Sequence, residues 1–183
     1  MTVAAILGLA AVLAMSGFQT FNDHVLSGGL VGRYYWFDGS ASAALENRTY
    51  SAKWSWGNAT SLIALGETTA SASATFRVYQ SSTIFGNGEG YCARAVPANT
   101  SWVEVNPDAT NWSRAKLVIG NEAVSGAPGC ANSLGIVEHE FGHTFGLAHI
   151  GYNGWAVMND WIAGRTDITA PTVDDINGIQ DLY

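Results

Sequence analysis

At 183 residues the chain is long enough for one domain with a full hydrophobic core and too short for two ordinary ones. Hydrophobic residues make up 48% and charged residues 13%, a globular balance that excludes an intrinsically disordered chain. A formal charge of −7, with eight scattered Lys and Arg, excludes nucleic acid as a partner, because phosphate binding needs clustered cations.

Val3 to Met15 is an uncharged apolar run with the length of a signal-peptide core, too short to span a bilayer. Ala14 and Ser16 are small residues at cleavage-site spacing, so the expectation is a signal peptide over 1–16 and a single mature domain over 17–183. A secreted protein is then the expectation, with no membrane contact after the leader is removed. No Lys or Arg precedes the run, and a buried first strand or helix is the competing reading. Next, Gly32 to Gly39 (GRYYWFDG) predicts an aromatic-rich strand closed by Asp38-Gly39. Ala41 to Trp56 predicts a helix with Ala41, Ala44, Leu45, Ala52 and Trp56 near one face, although strand competes from Thr49 onward. Leu62 to Leu65 and Thr75 to Tyr79 read as short strands. Gly86, Gly88 and Gly90 make a turn-rich loop before Tyr91 to Val96, and β-like stretches follow at Trp102 to Asn106 and Lys116 to Ile119. A helix begins after Cys130 with Asn132 or Ser133 as its N-cap, and a last helix opens at Pro171-Thr172 with Asp174 and Asp175 in its first turn. The order of elements is mixed α/β (α+β), a sheet flanked by helices.

The chemistry is concentrated in Val137 to Ile150, VEHEFGHTFGLAHI. His139 and His143 stand four residues apart, so on a helix both imidazoles project from one face and can grip one ion. Glu140 lies between them, offset from ligation and close enough to hold a metal-bound water. Gly146 can take a positive φ, end the helix and return His149 to the metal. Three neutral imidazoles plus water form an open zinc site, the catalytic arrangement. Glu138 reads as a surface charge. His24, the remaining histidine, reads as an incidental loop residue. Cys92 and Cys130, as an isolated pair in an oxidising compartment, favour a disulfide over a catalytic or metal site; free buried thiols are the alternative if the leader is false.

HEFGHTFGLAH resembles the metzincin motif of zinc peptidases, with Met158 in AVMND placed to be the methionine of the Met-turn. ANSLGIVEHEFGH and PTVDDINGIQDLY are similar to the helix entry and closing helix of the matrixins, the matrix metalloproteinase branch, and GNGEGYCARAVP (Gly86 to Pro97) resembles their substrate-binding loop and edge strand. The resemblance implies a zincin-like fold: a twisted, mostly parallel sheet with an antiparallel edge strand, an active-site helix, a Met-turn and a C-terminal helix. It divides the domain into an upper part, 17–149, and a lower part, 150–183. It implies an endopeptidase with one catalytic zinc on His139, His143 and His149, and Glu140 as general base. An extended protein or peptide substrate would pair with Tyr91, Cys92, Ala93, Arg94 and Ala95 by strand addition. A Cys92–Cys130 bridge would then tie this edge to the zinc helix.

Arg94 stands where matrixins carry a histidine for a structural zinc, so no second zinc is expected. Calcium has two visible candidates, Asn87 and Glu89, of the six or more oxygens it needs, and a solvated turn is the expectation there. The pocket wall after the Met-turn would be Asn159 to Arg165, in which Trp161 is expected to pack the core and Arg165 to be a solvated loop charge. Asp174 and Asp175 resemble the matrixin aspartates that brace the Met-turn. Trp54, Trp102 and Trp112 would serve a rival reading, a catalytically silent binding module, if exposed. A zinc hydrolase of a non-peptide amide is a second rival. No feature demands an oligomer, and a monomer is expected.

Overall fold

The structure, a computed structural model, describes residues 18–82, 92–151 and 154–183. The expected leader, the glycine-rich segment with Asn87 and Glu89, and Tyr91 lie outside the described residues. The chain enters through a two-residue strand, β1 (Gln19–Thr20), and then forms β2 (Leu30–Phe37), α1 (Ala43–Ala59), β3 (Ile63–Glu67) and β4 (Phe76–Ser81). Further along the chain come β5 (Ala93–Ala98), β6 (Arg114–Gly120), α2 (Asn121–Ser125), α3 (Ser133–Phe145), β7 (Leu147–Ala148) and α4 (Val173–Leu182).

Five strands form one sheet in the order β3-β2-β4-β6-β5, with β2, β3, β4 and β6 parallel and β5 antiparallel at the edge. Alternation selects the buried face: Phe76 and Val78 of β4 and Ala115, Leu117 and Ile119 of β6 are fully buried. Against that face lie α1 and α3, through Phe76 edge-on to Phe141 and Trp56 edge-on to Phe145. Two indole N–H groups close the layer, Trp56 donating to the Glu138 carbonyl at 3.1 Å and Trp112 to the Thr144 carbonyl at 3.0 Å.

The strand alternative from Thr49 onward does not form. α1 runs unbroken to Ala59 because Leu45, Thr49, Ala52 and Trp56 recur at helical spacing and are all buried, and the Thr49 hydroxyl bonds back to the Leu45 carbonyl. Ala44 falls off that stripe and is exposed. Trp102 to Asn106 is not a strand either. The Asn99 side chain accepts from the Ser101 and Val103 N–H groups, and Trp102 sits at φ 64°, so the segment curls into a turn with one isolated bridge, Ala98 to Glu104. Trp112 is 1% exposed and belongs to the core, Trp102 is half-buried against the Arg77 and Arg114 guanidiniums, and Trp54 is exposed. Among the described residues no helix is long and apolar enough to cross a membrane.

Candidate metal centre

The site is built on α3. Its N-cap is Asn132, whose side-chain oxygen accepts from the Gly135 N–H at 3.0 Å while its amide nitrogen reaches the Arg165 and Ile168 carbonyls, each at 2.6 Å. One side chain therefore starts the helix and ties it to the segment after the Met-turn. The helix ends at Gly146, φ 111°, a conformation that costs an L side chain and not glycine. The chain then pairs β7 with β1 and delivers His149.

This geometry brings the three histidines together. The His149 Nε2 lies 3.0 Å from both the His139 and His143 Nε2 atoms. Each Nδ1 faces an acceptor: the Val157 carbonyl for His139 (2.7 Å), the Leu147 carbonyl for His143 (2.8 Å) and an Asp160 carboxylate oxygen for His149 (3.2 Å). Those acceptors place the ring proton on Nδ1 in all three, so three Nε2 lone pairs converge with no hydrogen among them. Such a convergence is repulsive unless a cation occupies the centre. Nitrogens about 2.0–2.1 Å from a tetrahedral zinc are roughly 3.3 Å apart, close to the spacing seen here, so the donor set fits that ion. Burial, with His149 beside it, lowers the His139 pKa to about 3, and burial likewise holds His143 and His149 below the ordinary value, which keeps the donors neutral.

Glu140 is 6% exposed and lines the same cleft. Burial pushes its carboxyl up to about 8, against a smaller pull from the Ala95 N–H. Glu138, expected at the surface, is fully buried. One step along α3 rotates it from the histidine face onto α1, and neither carboxylate oxygen has a well-formed hydrogen bond. Burial raises it to about 8, and the Ser55 hydroxyl across the contact only tempers the rise.

Met158 lies directly beneath α3, where a Cβ on Gly142 would overlap its sulfur. Its turn is clamped from α4: the Asp175 carboxylate accepts from the Val157 and Met158 N–H groups at 3.0 and 3.1 Å and from Thr172, whose capping box it completes. Asp174 has no such role among the described contacts of the turn.

A cleft of about 510 Å³ runs past the triad. Its upper wall is β5. Cys92 bonds across to Gly120, so Arg94 and Val96 pair with β6 while Ala93 and Ala95 turn their main-chain groups outward. The open edge stops at Pro97, whose carbonyl already accepts from Val105. Arg94 is engaged with Glu104. A Cys92–Cys130 disulfide, Cα atoms 5.6 Å apart, joins the start of this edge to the entry of α3. Phe21 packs against the His143 ring at 5.6 Å. On the lower wall Trp161 lines the cleft and is 57% exposed; it does not pack the core, because Ile162 takes the inward position beside it. Arg165 pairs with Asp167 and lies over the Trp155 ring. Sequence reasoning missed Asp160 as a partner of His149, for no motif marks it, and Phe21, which is distant in the chain.

No curated protein matches the chain. The matrixin family model, peptidase family M10, matches residues 50–183, which takes in the C-terminal part of α1, β3 to β6, the histidine motif, the Met-turn and α4. The chain belongs to the matrixin family of zinc metallopeptidases.

Proposed function

We propose that the protein is an exported zinc endopeptidase that holds zinc on the Nε2 atoms of His139, His143 and His149 and uses Glu140 as its general base. The convergence of three Nε2 lone pairs beside a cleft-lining carboxylate carries this reading. Zinc, when bound there, supplies Lewis acidity toward water and the scissile carbonyl. Everything else falls to the chain. The outward main-chain groups of Ala93 and Ala95 pair with an extended substrate, giving affinity with little demand on side chains. Glu140 takes one proton from the attacking water and delivers it to the leaving amine nitrogen, so the carboxylate is restored each turnover. A cation held by the three histidines would favour its base form, offsetting the burial that raises its pKa. Export is supported by the apolar run Val3 to Met15 and by a disulfide that suits an oxidising compartment.

The test is cleavage of casein by the purified chain, with and without a zinc chelator. Chelator-sensitive cleavage restored by zinc is expected. Glu140→Ala should keep zinc yet lose activity by roughly 10²–10⁴-fold, since base and proton carrier vanish together. Retention of more than about a tenth of wild-type activity would remove Glu140 from this role. No cleavage by a folded, zinc-loaded protein would favour a silent binding module.

A further inference from the structure

The three candidate ligands are not supported alike. His139 and His143 sit on a helix, and their Nδ1 atoms face backbone carbonyls, which no substitution removes. His149 lies beyond the helix end, its side chain is 51% exposed, and its Nδ1 faces a side-chain carboxylate, that of Asp160. Among the described residues, the only other contact that orients the ring is its convergence with the other two histidines.

Asp160 is itself well placed. It follows the Met-turn, which Asp175 clamps through the Val157 and Met158 N–H groups. The Met158 carbonyl accepts from the Ile150 N–H at 3.1 Å, tying the turn to the residue after His149. The adjoining Asn159 is fully buried, with its amide on the Gly154 carbonyl and its oxygen on the Trp161 N–H. The carboxylate is thus held at a fixed place beside an otherwise loosely held ring. It is also the one charged group in direct contact with the triad among the described residues.

We propose that Asp160 is a positioning residue for the metal centre: its carboxylate fixes the orientation of the His149 ring and supplies the negative charge that makes His149 a strong ligand. A carboxylate accepting from a ligand's Nδ1–H pins the ring and makes Nε2 more basic, which a backbone carbonyl does less. The assignment rests on the zinc reading of the triad and adds to it a residue outside the histidine motif.

The test is zinc affinity of the full-length protein, by competition with a chromogenic chelator, alongside thermal unfolding of the metal-free form. Asp160→Ala should bind zinc about 10–100-fold more weakly while the metal-free melting temperature stays unchanged. Asp160→Asn, which keeps an acceptor without the charge, should fall between, and Asp160→Glu should recover most of the loss. Asp167→Ala, which removes an exposed carboxylate away from the triad, should leave affinity unchanged and so exclude a general charge effect. The proposal is overturned if Asp160→Ala binds within about twofold of wild type, or if its metal-free melting temperature falls in step with affinity. Should that variant not fold, Asp160→Asn binding as tightly as wild type overturns it. A wild-type protein that binds no zinc, or binds it equally after His139→Ala, sinks the zinc reading itself. Normal wild-type binding with an indifferent Asp160 sinks only this assignment.

Discussion

Two glutamates two residues apart show how one helix makes different use of the same side chain. Glu140 faces the cleft beside the histidines, and Glu138 faces α1 with no proper partner. In the metal-free protein both carboxyls have folded pKa values of about 8, above the 4.5 of an unperturbed chain. Between those values the unfolded chain has released a proton that the folded chain keeps, so stability falls as pH rises through the window. The buried histidines act in the opposite sense, but only below their ordinary value of 6.5. Above that pH the histidines no longer contribute, and the buried carboxyls, Asp175 included, act in the direction of the glutamates. The metal-free melting temperature should therefore drop from about pH 6.5 to 8, and Glu138→Gln, which cannot ionise, should flatten part of that drop. Thermal scans in chelator across that range measure both slopes. An unchanged slope in the variant would return Glu138 to the surface-charge reading.

Elements lie close together here because small residues permit it. Gly142 occupies the interior of α3, where alanine would ordinarily gain about 1 kcal/mol of helix propensity. A Cβ there would overlap the Met158 sulfur, and the neighbouring Trp56 ring closes the other side. Overpacking costs typically about 1–3 kcal/mol, so sterics win over propensity. Gly142→Ala should lower stability in denaturant titrations and displace the Met-turn, weakening zinc binding as well; a stabilised variant would show that Met158 does not brace the helix. The caps of α3 and α4 follow the same pattern of double use. Asn132 caps one helix and holds the segment after the turn, and Asp175 caps the other and holds the turn itself. Both were legible as helix-start residues from their type, and the resemblance already implied that Asp175 braces the turn; the second role of Asn132 was not legible, because it depends on which segment arrives beside it.

Across the molecule, the Cys92–Cys130 bridge joins residues 38 apart and binds the start of the β5 edge to the start of α3. Replacing both cysteines with serine should cost about 2–4 kcal/mol in unfolding experiments. Because the triad has its own supports, catalysis should suffer mainly as a raised KM, with kcat changed less. A fall in kcat at constant KM would place the bridge's effect on the metal centre and not on the edge strand. The sheet around this edge matched its expectation in outline: mostly parallel, one antiparallel edge, with helices on the buried face. The short β1 and β7 and the helix α2 had no such signal, being two to five residues long.

What the sequence determined by itself was local. Histidines four apart must share a helical face, a glycine three residues later can end that helix, and alternating apolar residues must bury one face of a strand. These rules name the triad, Glu140, the caps and most of the sheet without any knowledge of neighbours. Tertiary structure decided what covers each face. Glu138 is buried because α1 packs on its side of α3, and Trp112 is core because its N–H meets the end of that helix. Trp161 stands at the cleft because Ile162 takes the inward place. Asp160 reaches His149 because a turn clamped by a distant helix carries it there. Periodicity assigns a side chain to a face of its own element. Whether that face meets water, a core or another functional group is set by packing between elements far apart in the chain.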